Sequence, residues 1–407
     1  LRLTRFRRSI RARGVALRAK GNNPMTHDNA VDLARKVARD VLVPHAADND
    51  KQGRFSTESV HALGDTGLLA LSVPAEFGGA GLGPRAFAEV VAILAEADAS
   101  VGMVYTMHTC ATQCYVAGAA RSEACTAALG QMAKGAHLAT LAFSERGSRS
   151  HFWAPVSRAE RVGDRTRLNA QKSWVTSAGM ADSYVVSSQV PGAKGPTDTA
   201  LYLVRKDAGG IRVAAPWDGL GLRANASSPM TLEACEVGRD ALVTEEGGGF
   251  RAMLDVVLPW FCLGSAGVAL GLCRASVAST IAHLKTTAFE HMSGAKLGEA
   301  LPNLRANLAS MQTDTDGLAA RMLDVVDHLE KPSDVTMLRV LEAKASAGET
   351  AIVVTQDAMR TCGGAAFSRH TGIERFFRDA QAGAVMAPTV EVVREFIGKA
   401  LLGIPLF

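Results

Sequence analysis

A change of period limits how this chain can fold. From His137 to roughly Glu245, apolar and polar residues alternate in short runs, whereas on both sides apolar residues recur three and four apart. A period-two segment cannot bury its apolar side on a helix, so a β domain must sit between two helical ones. Its most informative part runs from Ser144 to Val186. That stretch holds a polar turn, Ser144-Glu145-Arg146-Gly147-Ser148-Arg149-Ser150, then Gly163-Asp164, then Trp174-Val175-Thr176-Ser177. Gly163-Asp164 lies between alternating runs and makes a good tight hairpin turn. The unit is a small antiparallel one and not a nucleotide-binding βαβ.

At 407 residues the chain is too long for one ordinary core. Three parts are expected, a helical domain over 25–140, a β domain over 141–248 and a helical bundle over 249–407. In the first, helical spacing from Ala30 to Val43 closes at Pro44, Ser56-Thr57-Glu58-Ser59 starts a second helix, and Arg85–Ala97 and Val101–Ala119 are two largely buried helices. In the second, Leu201–Val204 and Met230–Leu232 are strands, and 192–197 is a loop by its glycine and proline content. In the third, residues 256–273 carry no charge for 18 positions, the shortest length at which a membrane span is considered. Pro259, Gly264, Gly267 and Gly271 favour a packed helix with close backbone approach, so no membrane span is expected. Helices then follow over 304–328, 335–362 and 389–402.

The formal charge of +4 comes from the first 24 residues, which hold seven Arg, one Lys and no acid; without them the chain is at −4. No nucleic-acid partner is expected from such a body. This Arg-rich, acid-free leader either resembles a transit peptide or precedes a start at Met25; the second reading is preferred and implies a cytoplasmic protein. In both cases it stands outside the fold. The seven cysteines form no C-x-x-C and read as reduced core residues of an intracellular protein. His108, Cys110 and Cys114 lack a fourth ligand and a shared helix face, so no metal is expected.

Several segments together resemble the acyl-CoA dehydrogenase family. Ser144-Glu145 and Ser150 match its T-E-P-x-A-G-S-D turn, Trp174-Val175-Thr176 its W-I-T strand, and Val73–Gly83 its V-P-E-x-x-G-G-x-G loop. Gly219–Ala224 matches its G-x-R turn, Gly363-Gly364 its G-G, and Ile373–Ala380 its V-E-R-x-x-R-D-A. The resemblance implies an N-terminal helical domain, a middle β-barrel and a C-terminal helical bundle, with FAD bound across subunits of a tetramer. It also implies flavin contacts from Ser144, Trp174, Thr176 and Thr389, and an ADP contact at Gly363-Gly364 of a neighbouring subunit. Chemically, Trp174 offers a plane for an isoalloxazine ring, and Thr176, two residues on along a strand, bonds its N5 edge. Ser150 and His151 are the expected substrate contacts, and Arg146 and Arg149 suit CoA phosphates.

Taking a proton from Cα of an acyl thioester while hydride leaves Cβ requires a positioned base. The family's glutamate positions are here Ala387 and Phe261, neither of which accepts a proton. His108 is the remaining candidate beside the acyl pocket. Other departures are Arg146 for proline, His151 for the acid after G-S, and Glu290-His291-Met292-Ser293-Gly294 for R-x-x-F-G. The expected function is FAD-dependent oxidoreduction on an acyl-CoA or related substrate, with no electron acceptor specified. Its alternatives are a flavin monooxygenase or non-dehydrogenating lyase on the same scaffold, and a non-catalytic partner subunit.

Overall fold

The computed structural model describes residues 25–406. The expected leader, 1–24, lies outside the described residues. Helix α1 (His27–Val37) begins at Thr26, whose hydroxyl accepts the Asn29 N–H at 3.3 Å. Pro44 does not close this helical run. Its missing N–H removes one bond to the preceding turn. The chain widens into a π turn over Ala38–Leu42, where Val43 N–H reaches Ala38 O, and α2 (Val43–Gln52) continues with Pro44 in its first turn. Helices α3 (Thr57–Asp65), α4 (Pro84–Ala97), α5 (Ala99–Gly118) and α6 (Glu123–Met132) complete the first layer. Asp98 ends α4 and caps α5, accepting the Ser100 N–H at 2.9 Å.

The strands are β1 (Ala139–Ala142), β2 (Ala159–Val162), β3 (Arg165–Val175), β4 (Ser183–Gln189), β5 (Thr199–Arg205), β6 (Ile211–Val213) and β7 (Ser228–Val237). Val162 pairs with Arg165 across Gly163-Asp164, where Gly163 takes φ 60°, so the expected hairpin is present. The expected closed barrel is not. The ladders form two open sheets, ordered β1-β4-β5 and β2-β3-β7-β6. Among the described residues, isolated bridges, Glu145 to Lys172 and Arg158 to Gln189, and no continuous ladder run between them. After Ala142 the chain leaves β1 for the polar turn, and the ladder that closure would need is interrupted there.

The bundle consists of α7 (Leu258–Thr286), α8 (Pro302–Glu330), α9 (Thr336–Cys362), α10 (Ile373–Val385) and α11 (Val390–Leu402). The uncharged run begins in the π turn Met253–Val257 and continues in α7. By length and composition it could cross a membrane, but 83% of its most apolar window is buried inside the protein. Its glycines give the reason. A Cβ at Gly267 would stand 2.8 Å from Val91, and one at Gly271 would stand 2.6 Å from both Ala92 O and Glu96 N. The α7 backbone thus lies directly on α4, and the first domain and the bundle share one core. Gly271→Ala is expected to lower stability by about 1–3 kcal/mol through overpacking, read from the midpoint of urea unfolding with unchanged slope.

Candidate active site

The site is built on a buried ion pair. By the alternation of β3, Thr166, Leu168, Ala170 and Lys172 face inward, and the last of these is a lysine with a fully buried side chain. Its Nζ donates to Glu145 Oε1 at 2.6 Å and to Ser187 O at 2.6 Å. Glu145 also accepts from Val156 N–H (2.7 Å), Ser157 N–H (2.9 Å) and the Ser157 hydroxyl (2.5 Å). Burial would raise the Glu145 carboxyl, but the Lys172 ammonium and the Ser157 donors outweigh it and hold it below its ordinary value. With its oxygens so occupied, Glu145 fixes the start of the polar turn, whose Ser148 and Arg149 N–H groups bond the Glu145 carbonyl at 3.1 Å each. Lys172 and Ser157 were not singled out from the sequence. The signal for Lys172 is a charge at an inward position of an alternating strand.

The same alternation would turn Trp174 inward. Between Lys172 and Val175 three residue steps on β3 face two on β7, from Met230 to Ser228, which makes a β-bulge. Trp174 absorbs the extra residue at φ 59° and leaves its indole 62% exposed, 5.5 Å from the Trp217 ring. Thr176 is not on the strand with it. β3 ends at Val175, and Thr176 is buried with its hydroxyl 3.1 Å from that of Ser227. The polar turn stays beside this corner because Ser173 N–H donates to Ser144 O at 2.9 Å.

Ser150 and Thr389, 239 residues apart, do come together. The Thr389 N–H, at the start of α11, donates to the Ser150 hydroxyl at 2.9 Å. Ala387 is half-buried in the preceding turn and Phe261 is buried in α7. His151 is exposed and borders a cavity of about 450 Å³ with Trp153, Glu391, Glu395, Phe396 and Lys399. His108 is a correction. Its Nδ1 accepts the Ala139 N–H at 3.1 Å, so Nε2 carries the proton and donates to Leu69 O at 2.8 Å. Neither nitrogen is left for proton transfer, and burial lowers its pKa to about 4. Arg146 and Arg149 are exposed.

Gly363 follows α9 at φ 57°, ψ −133°, a conformation reserved for glycine, and neither it nor Gly364 has an atom within 4 Å of where a Cβ would stand. The backbone there is open to approach. Glu290–Met292 form an exposed 3₁₀ turn in a small hairpin of Ala288–Phe289 with Ala295–Lys296. A large indole left in solvent beside a pinned polar turn, and an uncovered glycine pair, fit a flat ring and a phosphate-bearing tail better than they fit a closed core.

The comparisons with known proteins show the family. Profiles described as the acyl-CoA dehydrogenase N-terminal, middle and C-terminal domains match residues 24–136, 140–235 and 247–402. The chain belongs to the acyl-CoA dehydrogenase family. A probable acyl-CoA dehydrogenase of Mycobacterium tuberculosis is 27% identical over 385 residues, 93% of this chain and 96% of that protein. The mitochondrial short-chain specific acyl-CoA dehydrogenase of Rattus norvegicus is 28% identical over 380 residues, 93% of this chain and 90% of its own. Among solved structures, butyryl-CoA dehydrogenase from Megasphaera elsdenii superposes with a TM-score of 0.85 at 21% identity, covering 94% of this chain and 100% of that one. Indole-bound TdsC, described elsewhere as a dibenzothiophene monooxygenase, from Paenibacillus, gives 0.82 at 22% identity, covering 93% and 98%. These last two likenesses establish the shared fold.

Two measurements check the site. Lys172→Met leaves Glu145 buried without its counter-charge and is expected to cost about 3–5 kcal/mol, read by urea unfolding. His108 binds its proton more weakly folded than unfolded, so the stability it confers is complete above about pH 6.5 and is lost as pH falls toward about 4. Unfolding free energies measured across that window are expected to fall with pH by up to about 1.4 kcal/mol per unit from this group, and His108→Gln is expected to remove that part of the slope.

Proposed function

We propose that this member of the family is an FAD-dependent oxidoreductase of an acyl-CoA or related small molecule, working as a cytoplasmic homotetramer without a glutamate base. The observation that carries the reading is the exposed Trp174 indole, raised by the bulge beside a turn that Glu145 and Lys172 hold in place. Trp174 would flank the ring, Thr176 and Ser144 would meet its polar edge, and Thr389 would lie at the junction with α11. Gly363 and Gly364 would receive the ADP end from a neighbouring subunit, which is the support for an oligomer. Bound FAD supplies a two-electron acceptor that no side chain of the protein can replace. Ser150 and His151 would contact the substrate, and Phe261, buried in α7, offers it no polar group.

The chain's own residues offer no acceptor for an α-proton at Ala387 or Phe261, and both nitrogens of His108 are engaged. That favours, as a second reading, flavin chemistry that needs no such base, an oxygenation or a non-dehydrogenating reaction. The purified protein is expected to be yellow, and colourless protein after refolding with excess FAD refutes the proposal. In anaerobic titration with straight-chain acyl-CoAs, flavin bleaching is expected to be slower than in an ordinary dehydrogenase by about 10²–10⁴-fold. Ala387→Glu is expected to raise it. Wild-type bleaching at the ordinary rate, unchanged by Ala387→Glu, means that a different base is at work.

A further inference from the structure

The glycine pair after α9 leads into Phe367, whose side chain is 84% exposed, more than any other large apolar side chain of the described residues. A lone exposed apolar residue is ordinary on a protein surface, but here the backbone builds the exposure. Gly363 turns the chain at φ 57°, ψ −133°, and a single helical turn, Gly364–Phe367, follows. Ala366 in that turn is fully buried and pins it to the core, which leaves the next side chain, Phe367, outside. The Ala365 carbonyl accepts from the Ser368 N–H (3.3 Å), the Ser368 hydroxyl (2.9 Å) and the Thr371 hydroxyl (3.4 Å), and these bonds close the loop behind the ring.

The groups on either side of the ring differ in chemistry. α9 ends at Cys362, so its last carbonyls lack helical donors and lie at the glycine pair. The Gly363 N–H takes one of them, that of Met359, at 3.0 Å. Such a helix end is weakly negative and rich in acceptors, which suits an amino group and repels a phosphate. After Phe367 come Arg369 and His370, both exposed, and neither has a hydrogen bond or ion pair among the described residues. Residues 362–370 thus present acceptors, an open glycine backbone, an aromatic plane and an unengaged guanidinium, in that order.

We infer that Phe367 and Arg369 are the nucleotide-recognition residues of this loop, the Phe367 ring stacking on adenine, the α9 carbonyls taking the adenine amino group, and Arg369 meeting the diphosphate. The inference rests on the flavin reading only for the source of the nucleotide, which is the ADP end of FAD from a neighbouring subunit. Adenine is flat, uncharged and bears an amino donor, so it matches a bare ring beside acceptors. A diphosphate matches Arg369, because the planar fork of a guanidinium meets two oxygens at once.

The loop also limits what binding must order. A phenylalanine ring has only two torsions to fix, and the loop that carries it is already closed by the Ala365 carbonyl. With no atom within 4 Å of where a Cβ would stand at Gly363 or Gly364, the ribose has room to lie against the backbone between the two recognition points.

The experiment uses the full-length protein and two pairs of probes. FAD and FMN, followed by quenching of flavin fluorescence, share the ring and differ by the adenosine monophosphate end, so the ratio of their Kd values reads that end alone. ADP and inosine diphosphate, followed by calorimetry, differ in the purine amino group, which inosine replaces with a carbonyl. Wild-type protein is expected to bind FAD more tightly than FMN, and ADP about tenfold more tightly than inosine diphosphate. Phe367→Ala is expected to weaken FAD and ADP by about five- to hundredfold and to leave FMN unchanged, and Phe367→Trp is expected to restore both. Arg369→Gln is expected to weaken FAD and ADP by about tenfold, again without effect on FMN. Both positions are exposed, so these variants are expected to fold. FAD and FMN weakened alike by Phe367→Ala, or oligomers lost with the FAD-to-FMN ratio intact, place the ring in a protein contact and overturn the inference. ADP bound by wild type and lost in Phe367→Ala, in protein that takes up no flavin, upholds it and refutes the flavin reading. FAD bound with one FAD-to-FMN ratio in wild type, Phe367→Ala and Arg369→Gln does the reverse.

Discussion

The structure depends on the pair of Glu145 and Lys172. Two open sheets meet where no continuous ladder joins them, and the contact is made by two charges that are almost wholly buried. Such a pair is a weak source of net stability, because desolvation consumes most of the attraction. Its effect here is geometric. Both carboxylate oxygens of Glu145 and the reach of Lys172 are committed to Ser157, Val156 and Ser187, so the polar turn after β1 has one position relative to β3 and β4. Removing one partner would leave the other charged and uncompensated, which is why the pair constrains the fold more than it stabilises it.

From this anchor the rest of the site follows by short steps. The turn reaches Ser150, Ser150 accepts the N–H of Thr389, which caps α11, and the middle domain is thereby tied to the end of the bundle. The bulge in β3 lifts Trp174 out of the core, and Trp217 and Ser227 hold the corner from the other side. His108 is held within the first domain by Nε2 on Leu69 O and joins that domain to β1 through Nδ1, which accepts the Ala139 N–H. It thus acts as a strut in the wall of the site, and its low proton affinity is a consequence of burial.

Much of this was legible in residue order. The change of period at His137, the hairpin at Gly163-Asp164 and the glycine-bearing apolar helix after Val256 all follow from local rules, and the structure has them. The motif matches singled out Trp174, Gly363-Gly364, Ser150 and Thr389, and the structure brings the last two together. Other expectations failed for identifiable reasons. Pro44 ends a helix only if the missing bond cannot be absorbed, and a π turn absorbed it. A closed barrel needs an unbroken ladder, and the ladder stops after Ala142.

The sequence by itself determined the three-part architecture, the membership implied by its motifs, and the chemistry missing at Ala387 and Phe261, because period, turn residues and side-chain type are local properties. The tertiary structure alone decided the rest. Strand alternation puts Lys172 and Trp174 on one face, and only the pairing of β3 with β7, with its one extra residue, turns the second outward. Likewise no spacing connects Asp379 with Leu222 or Arg375 with Asp98. Those groups meet because three domains close on one another, and the environment that sets their protonation exists only once they have done so.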